Sequence, residues 1–199
     1  MAETPLSYEY ERDDFYCFSD SKVLRNKLGI RDEETLDNAE REITGLKAVE
    51  FVNNPFSDEL DFDYIKKLHK FMFGDIYEWA GETRVIDISK GNIFCQHELI
   101  EINAETLMKE LKAENYLINS DNIAERLAYY LGDLNSIHPF REGNGRIQRL
   151  FITELARRAG YSLDFSNITP KEMIVASDEA FHHNYGPLER IIRKALAHN

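Results

Sequence analysis

The stretch from Ile147 to Ala156 carries Ile147, Leu150, Phe151, Ile152, Leu155 and Ala156 and leaves little polar face. A helix apolar on nearly every side must be enclosed by other elements, so the chain is committed to a helical domain wrapped around this segment. Arg157 and Arg158 followed by Gly160 mark its end, because cations suit the negative pole of a helix and glycine suits the left-handed residue after the last turn. Amphipathic spacing supplies the surrounding layer. Leu36, Ala39, Ile43, Leu46 and Val49 follow three-four spacing, as do Ile123, Leu127, Leu131 and Leu134. Thr169-Pro170-Lys171-Glu172 is a capping box with proline at the first helical position, opening a helix through Met173, Ile174 and Phe181. A last amphipathic helix is predicted from about Pro187 to Ala197. With 199 residues and 43% hydrophobic residues, the chain is expected to be one mainly α domain with a buried central helix.

The entry into the central helix is chemically unusual. His138-Pro139-Phe140-Arg141-Glu142-Gly143-Asn144-Gly145-Arg146-Ile147-Gln148-Arg149 puts a titratable base, a carboxylate, two glycines around an asparagine and two arginines into one turn-to-helix transition. Gly143, Asn144 and Gly145 readily accept unusual backbone angles, and their N–H groups can converge on an anion at the positive end of the helix. Arg146 and Arg149, three apart, rise from one face and can fork onto phosphate oxygens. Glu142 beside an anion site makes sense if Mg²⁺ lies between it and the phosphates. His138 is the natural general base near neutral pH. Singly, these residues read as a turn and a solvated helix face; a plain turn needs neither a base nor two aligned forks.

A second element lies between Val85 and Gln96. Val85-Ile86-Asp87-Ile88 alternates like a strand, Ser89-Lys90-Gly91-Asn92 is a turn signal, and Ile93-Phe94-Cys95-Gln96 can return. On residues alone this β-hairpin is either a connection or a working part.

The motif string resembles the signature of the Fic family: histidine, any residue, Phe, any residue, Asp or Glu, Gly-Asn-Gly-Arg, two residues, Arg. The likeness extends from about Ser19 to Ala197, with Leu68-His69, Phe73 to Gly81 and Arg84 resembling the stretch upstream of the family's flap. The resemblance implies a Fic-fold domain over 19–199 and transfer of AMP from ATP to a Tyr, Ser or Thr hydroxyl of a target protein. His138 would then be the base, Phe140 the inward anchor of the loop, and Glu142 the Mg²⁺ ligand. Gly143, Asn144 and Gly145 would cradle the α- and β-phosphates, Arg146 would stabilise phosphate charge, and Arg149 would pair with the γ-phosphate. Lys90 and Gly91 at the flap tip are implied nucleotide or target contacts. The flap residues Ile88, Ser89, Asn92 and Ile93 are implied to dock the target by strand addition. Asn184 matches an adenosine-side contact. Doc-type kinases of the same superfamily carry a bulkier basic residue in place of Gly145, which favours nucleotidyl over phosphoryl transfer here.

Many Fic proteins carry an inhibitory helix marked by Ser or Thr, three residues, Glu, then Gly or Asn. Only near misses occur: Ser7 to Glu11 is followed by Arg12, and Thr106 to Glu110 by Leu111. The chain therefore resembles the toxin-like subgroup restrained by a separate small antitoxin, whose glutamate would pair with Arg149. Two readings stay open beside this one: a non-catalytic module that binds nucleotide, and transfer of another group such as UMP or phosphocholine.

Composition sets outer limits. A net charge of -12 argues against direct nucleic-acid binding. The N-terminus lacks a basic and an apolar signal region, and no run approaches the roughly 18 apolar residues that span a bilayer, so a cytoplasmic setting is expected, with delivery into a host cell as the alternative. Cys17 and Cys95 have no metal or redox spacing. The stretch 1–18, acidic and aromatic with Tyr8, Tyr10, Phe15, Tyr16 and Phe18, is expected to be a largely solvated arm.

Overall fold

The helix that follows the motif runs from Asn144 to Arg158, and Ile147, Phe151, Ile152, Leu155 and Ala156 are each at most 1% exposed in the computed structural model, which describes residues 13–197. Around it stand α1 (Glu33–Asn53), α2 (Phe62–Phe73), α3 (Ile100–Ala113), α4 (Ile123–Ile137), α6 (Pro170–Phe181) and α7 (Gly186–Ala195), the central helix being α5. Two short antiparallel ribbons, β1 (Ser89–Lys90) with β2 (Asn92–Ile93) and β3 (Ser162–Leu163) with β4 (Leu196–Ala197), and two 3-10 turns, His97–Leu99 and Asn115–Leu117, accompany the helices.

The end of α5 follows from its residues. Arg157 and Arg158 each reach the buried carboxylate of Glu154 at 2.7 Å, and Gly160 takes a φ of 91° just beyond the last turn. Helix α6 opens on a complete capping box: the Thr169 hydroxyl accepts from Glu172 N, and the Glu172 carboxylate accepts from Thr169 N at 2.7 Å. Helix α4 buries Ile123, Leu127, Leu131 and Leu134 against its neighbours.

Three sequence expectations are corrected. The inward face of α1 is Leu36, Glu40, Thr44 and Phe51, while Leu46 and Val49 are 76% and 62% exposed. A polar register won because Glu40 and Thr44 find hydrogen-bonding partners inside the domain that the apolar stripe does not displace. The hairpin is shorter than 85–96: only Ser89 pairs with Ile93 and Lys90 with Asn92, about Gly91 at φ 78°. One more backbone bond, Phe94 N to Ile88 O at 3.3 Å, joins the legs, and further out the carbonyls of Ile86 and Cys95 both accept from the Arg84 guanidinium. Finally, Leu196 and Ala197 leave α7 and pair with Leu163 and Ser162.

The described part of the N-terminal stretch is docked on the domain. Tyr16 and Cys17 are buried, the Tyr16 ring meets Trp79 edge-on at 5.4 Å, and Asp13 makes a buried ion pair with Arg141 at 2.8 Å. Residues 1–12, with Ser7, Tyr8, Tyr10 and Glu11, lie outside the described residues.

Candidate active site

Helix α4 ends at Ile137, and His138 leaves it in the left-handed conformation, φ 48° and ψ 62°. That turn throws the imidazole inward, where it is 5% exposed and stacked on Phe94 of the flap at 3.8 Å between centroids. Its Nδ1 lies 3.1 Å from the carbonyl of Asn135, which can only accept. Nδ1 therefore carries the proton and the lone pair sits on Nε2, the state a base requires. Burial, with lesser contributions from Arg84 and Lys90, lowers the His138 pKa to about 3, so the ring is neutral at physiological pH.

The loop between His138 and α5 is closed by Asn144. Its Oδ1 accepts from Phe140 N at 2.9 Å and its Nδ2 donates to Phe140 O at 2.7 Å, and the side chain is buried. Both polar atoms of the Asn144 side chain are thus engaged in closing the loop. Phe140 is fully buried and stacks on His69 at 3.9 Å. His69 Nδ1 accepts from Gly81 N at 2.8 Å, so Nε2 must donate to the Glu142 carbonyl 3.0 Å away. Gly143 takes a φ of 81°, and a Cβ there would come within 2.3 Å of the Phe73 ring. Only glycine meets both demands.

Carboxylate and arginines divide into two groups. Glu142 Oε1 accepts from Gly143 N at 2.7 Å and lies 3.7 Å from Arg146; burial first, then the nearby Glu40, raises its pKa. Arg146 turns toward α1, where it pairs with Glu40, donates to Thr44 Oγ1 at 3.1 Å and lies over the Phe73 ring. Tyr77 donates to the other Glu40 oxygen at 2.6 Å. Arg149, one turn on, forms no ion pair with a described residue, and burial with the charge of Arg146 lowers its pKa.

A cleft of about 540 Å³ opens between the flap, the start of α5 and α6. Lys90, Gly91, Asn92, His138, Gly145 and Arg149 line it, joined by Phe94, Gln148, Met173, Ile174 and Asp178. Glu142, Gly143, Asn144 and Arg146 stand beside the cleft and do not line it. Asn184 does not line it either: it is exposed, its Nδ2 donating to Glu179 at 2.8 Å in the turn before α7. In the flap, Ile88 is buried, Ser89 is half-buried and Ile93 is 74% exposed. Asn92 donates to Asp178 of α6 at 2.6 Å, closing one side of the cleft mouth.

Residues 59–156, which span α2 through most of α5, match the Fic/DOC family model. Along nearly its full length the chain is also 39% identical to the probable protein adenylyltransferase y4lH of Sinorhizobium fredii, covering 92% of this chain and 96% of that one. The chain belongs to the Fic/DOC family. It is likewise 39% identical over 186 residues to the protein adenylyltransferase VbhT of Bartonella schoenbuchensis, of whose length it spans 39%. Among solved structures, the N-terminal Fic domain of a VirB-translocated Bep effector from Bartonella quintana, with bound ADP, superposes at a TM-score of 0.86 and 31% identity, covering 92% of this chain and 94% of that one. BepC of Bartonella tribocorum with bound AMPPNP gives 0.86 at 29% identity, covering 92% and 97%. The mainly α Fic fold is thus shared.

Glu40, Thr44 and Asp178 escaped the sequence reading, while His69, Tyr77 and Arg84 entered it only as part of the family likeness, with no role attached. Glu40 leaves a trace, an acid in the register that α1 turns inward. Asp178 leaves none, because nothing in an exposed helical aspartate tells which loop reaches it.

Proposed function

We infer that this Fic protein transfers AMP from ATP to a hydroxyl of a protein target. One observation carries the reading: a neutral His138 with its lone pair on Nε2 lines the same cleft as Gly145 and Arg149, under a flap edge that can receive an extended segment. Arg149 suits the outer phosphate, and the N-terminal backbone of α5 suits the inner ones. Gly145 keeps the cleft open at that point, since a Cβ there would already meet Arg149 Nη1 at 3.3 Å. His138 takes the proton of the target hydroxyl as its oxygen bonds to the α-phosphorus and pyrophosphate leaves.

Glu142 is the residue that would hold Mg²⁺. Among the described residues no group of three acids or imidazoles forms a protein-only metal cage. A single carboxylate beside a phosphate site fits an ion that takes its remaining ligands from substrate and water. When bound, the ion supplies charge neutralisation on the phosphates.

Restraint by a separate antitoxin is the reading we favour for control. Arg149 has no acidic partner among the described residues, and Glu110 is engaged elsewhere, with Arg126 and with Tyr129, both at 3.0 Å. The exposed Leu46, Val49 and Val52 of α1 offer an apolar face for a partner helix. No helix among the described residues is long and apolar enough to cross a membrane. We place the activity in the cytoplasm; the Bartonella neighbours, named as translocated effectors, favour delivery into a host cell as the second setting.

The test is incubation with α-labelled ATP, Mg²⁺ and a bacterial lysate, beside a His138→Ala control. Labelled protein that disappears in the control is expected. Nucleotide binding without labelled product in any lysate would mean an interaction module, and activation by replacing Glu11 or Glu110 would place the inhibitor within the chain.

A further inference from the structure

Arg84 is 1% exposed, and Asp87, a carboxylate 3.7 Å from its guanidinium, is half-exposed. The guanidinium is instead enclosed by backbone carbonyls. Nε donates to His138 O at 2.9 Å, Nη1 to Ile86 O at 2.6 Å, and Nη2 to Cys95 O and to Ile137 O, the latter at 3.4 Å. The Arg84 backbone N–H donates to Pro139 O at 2.9 Å. These acceptors come from three places. Ile137 and His138 are the last carbonyls of α4, which the helix itself leaves unsatisfied and which form its negative pole. Ile86 is on the outgoing leg of the flap and Cys95 on the returning leg. Cys95 N in turn donates to Ser136 O at 3.0 Å, and Phe94 stacks on the His138 ring. One planar, five-donor side chain thus caps the helix that presents His138 and ties both flap legs to it.

We propose that Arg84 is a positioning residue that locks the flap and the catalytic histidine into one rigid register, so that a hydroxyl delivered along the flap arrives opposite the His138 Nε2. It acts through Cys95, Ile86 and the His138 carbonyl. The phosphate end of the cleft, Gly145 and Arg149, is built on α5 and does not depend on it. Losing Arg84 therefore separates two properties that a general packing defect would lose together: ATP binding persists while transfer to protein fails. Lysine, with its charge and up to three donors but no fork, retains part of the function.

The inference rests on the AMP-transfer reading above, and its test has an arm that does not. Hydrogen exchange of the full chain is compared for wild type, Arg84→Met and Arg84→Lys, together with binding of a fluorescent ATP analogue and labelling of lysate protein from α-labelled ATP. In Arg84→Met the Cys95 amide should exchange at least ~10-fold faster while α2 and α5 keep their protection. ATP-analogue affinity should stay within about threefold, and labelling should fall about 100-fold, the penalty of a misplaced base. Arg84→Lys should lie between. Unchanged Cys95 exchange, or binding that falls in step with labelling, would overturn the proposal; so would failure of both variants to fold, which would make Arg84 a core residue only. If wild type itself labels nothing, the transfer reading fails while the exchange comparison still decides the role of Arg84.

Discussion

At Gly143 two constraints meet that are separable by experiment. Its φ of 81° excludes most side chains on conformational grounds, and the Phe73 ring occupies the space a Cβ would take, at 2.3 Å. Gly160 shares the first constraint, with φ 91°, but nothing lies within 4 Å of its would-be Cβ. Gly160→Ala should therefore cost only the left-handed penalty, about 1–2 kcal/mol. Gly143→Ala should add about 1–3 kcal/mol for moving a packed ring. Phe73 also underlies His69 and Arg146, so Gly143→Ala should weaken ATP binding as well, whereas Gly160→Ala should not. Urea unfolding of the two variants checks the first statement and nucleotide titration the second; equal losses in stability would show that Phe73 yields freely. At this scale the sequence was readable for residues whose chemistry is local. The turn glycines and His138, the proposed base, belong to one short string. Glu40 and His69 act on that string from 73 to 106 positions away in the chain, and no spacing rule connects them to it.

At the scale of elements, the flap is fixed at its legs by Arg84 and joined to α6 at its tip. Its ladder is two residue pairs long, and its tip is tied to α6 by the Asn92 to Asp178 hydrogen bond, an exposed contact worth about 0.5–1.5 kcal/mol. Such a tether shifts an open–closed balance by roughly two- to tenfold, which suits a cover that must admit ATP and release pyrophosphate. Asn92→Ala and Asp178→Ala should each speed both entry and exit of a fluorescent ATP analogue, measured by stopped flow, and speed amide exchange over residues 89–93. Entry and exit rates matching wild type would mean that the contact does not govern access. A hairpin was legible from Lys90-Gly91-Asn92, but its length was not, because alternation in 85–88 looks the same whether a partner strand or the Arg84 guanidinium takes the Ile86 carbonyl. Helices α4, α5 and α6 were legible since their apolar spacing or caps point inward. Helix α1 misled for the opposite reason: its apolar stripe Leu46, Val49 and Val52 faces out while Glu40 and Thr44 face in.

The molecule as a whole carries two neutral histidines at its centre, His69 and His138, each with its pKa lowered to about 3 by burial. Arg146 faces the first, and Arg84 and Lys90 the second, adding to the cost of a charged ring. In the unfolded chain both titrate near ~6.5, so below that pH the unfolded state binds more protons than the folded one. Stability is then fully present above about pH 6.5 and is lost as pH falls toward 3, by about 1.4 kcal/mol per unit for each ring. Glu142 pulls the other way, because its raised pKa makes it take up a proton on folding, but it does so in wild type and in histidine variants alike. Urea unfolding between pH 7 and pH 5 should therefore show a slope in wild type that His138→Ala reduces by about 1.4 kcal/mol per unit below pH 6. The same depressed value keeps the base ready, so labelling by wild type should hold steady down to pH 5.5 instead of falling as an ordinary histidine protonates. Equal stability slopes in the two proteins would show that the ring of His138 reaches water in the folded chain, and the case for a base kept neutral by burial beneath Phe94 would fail with it.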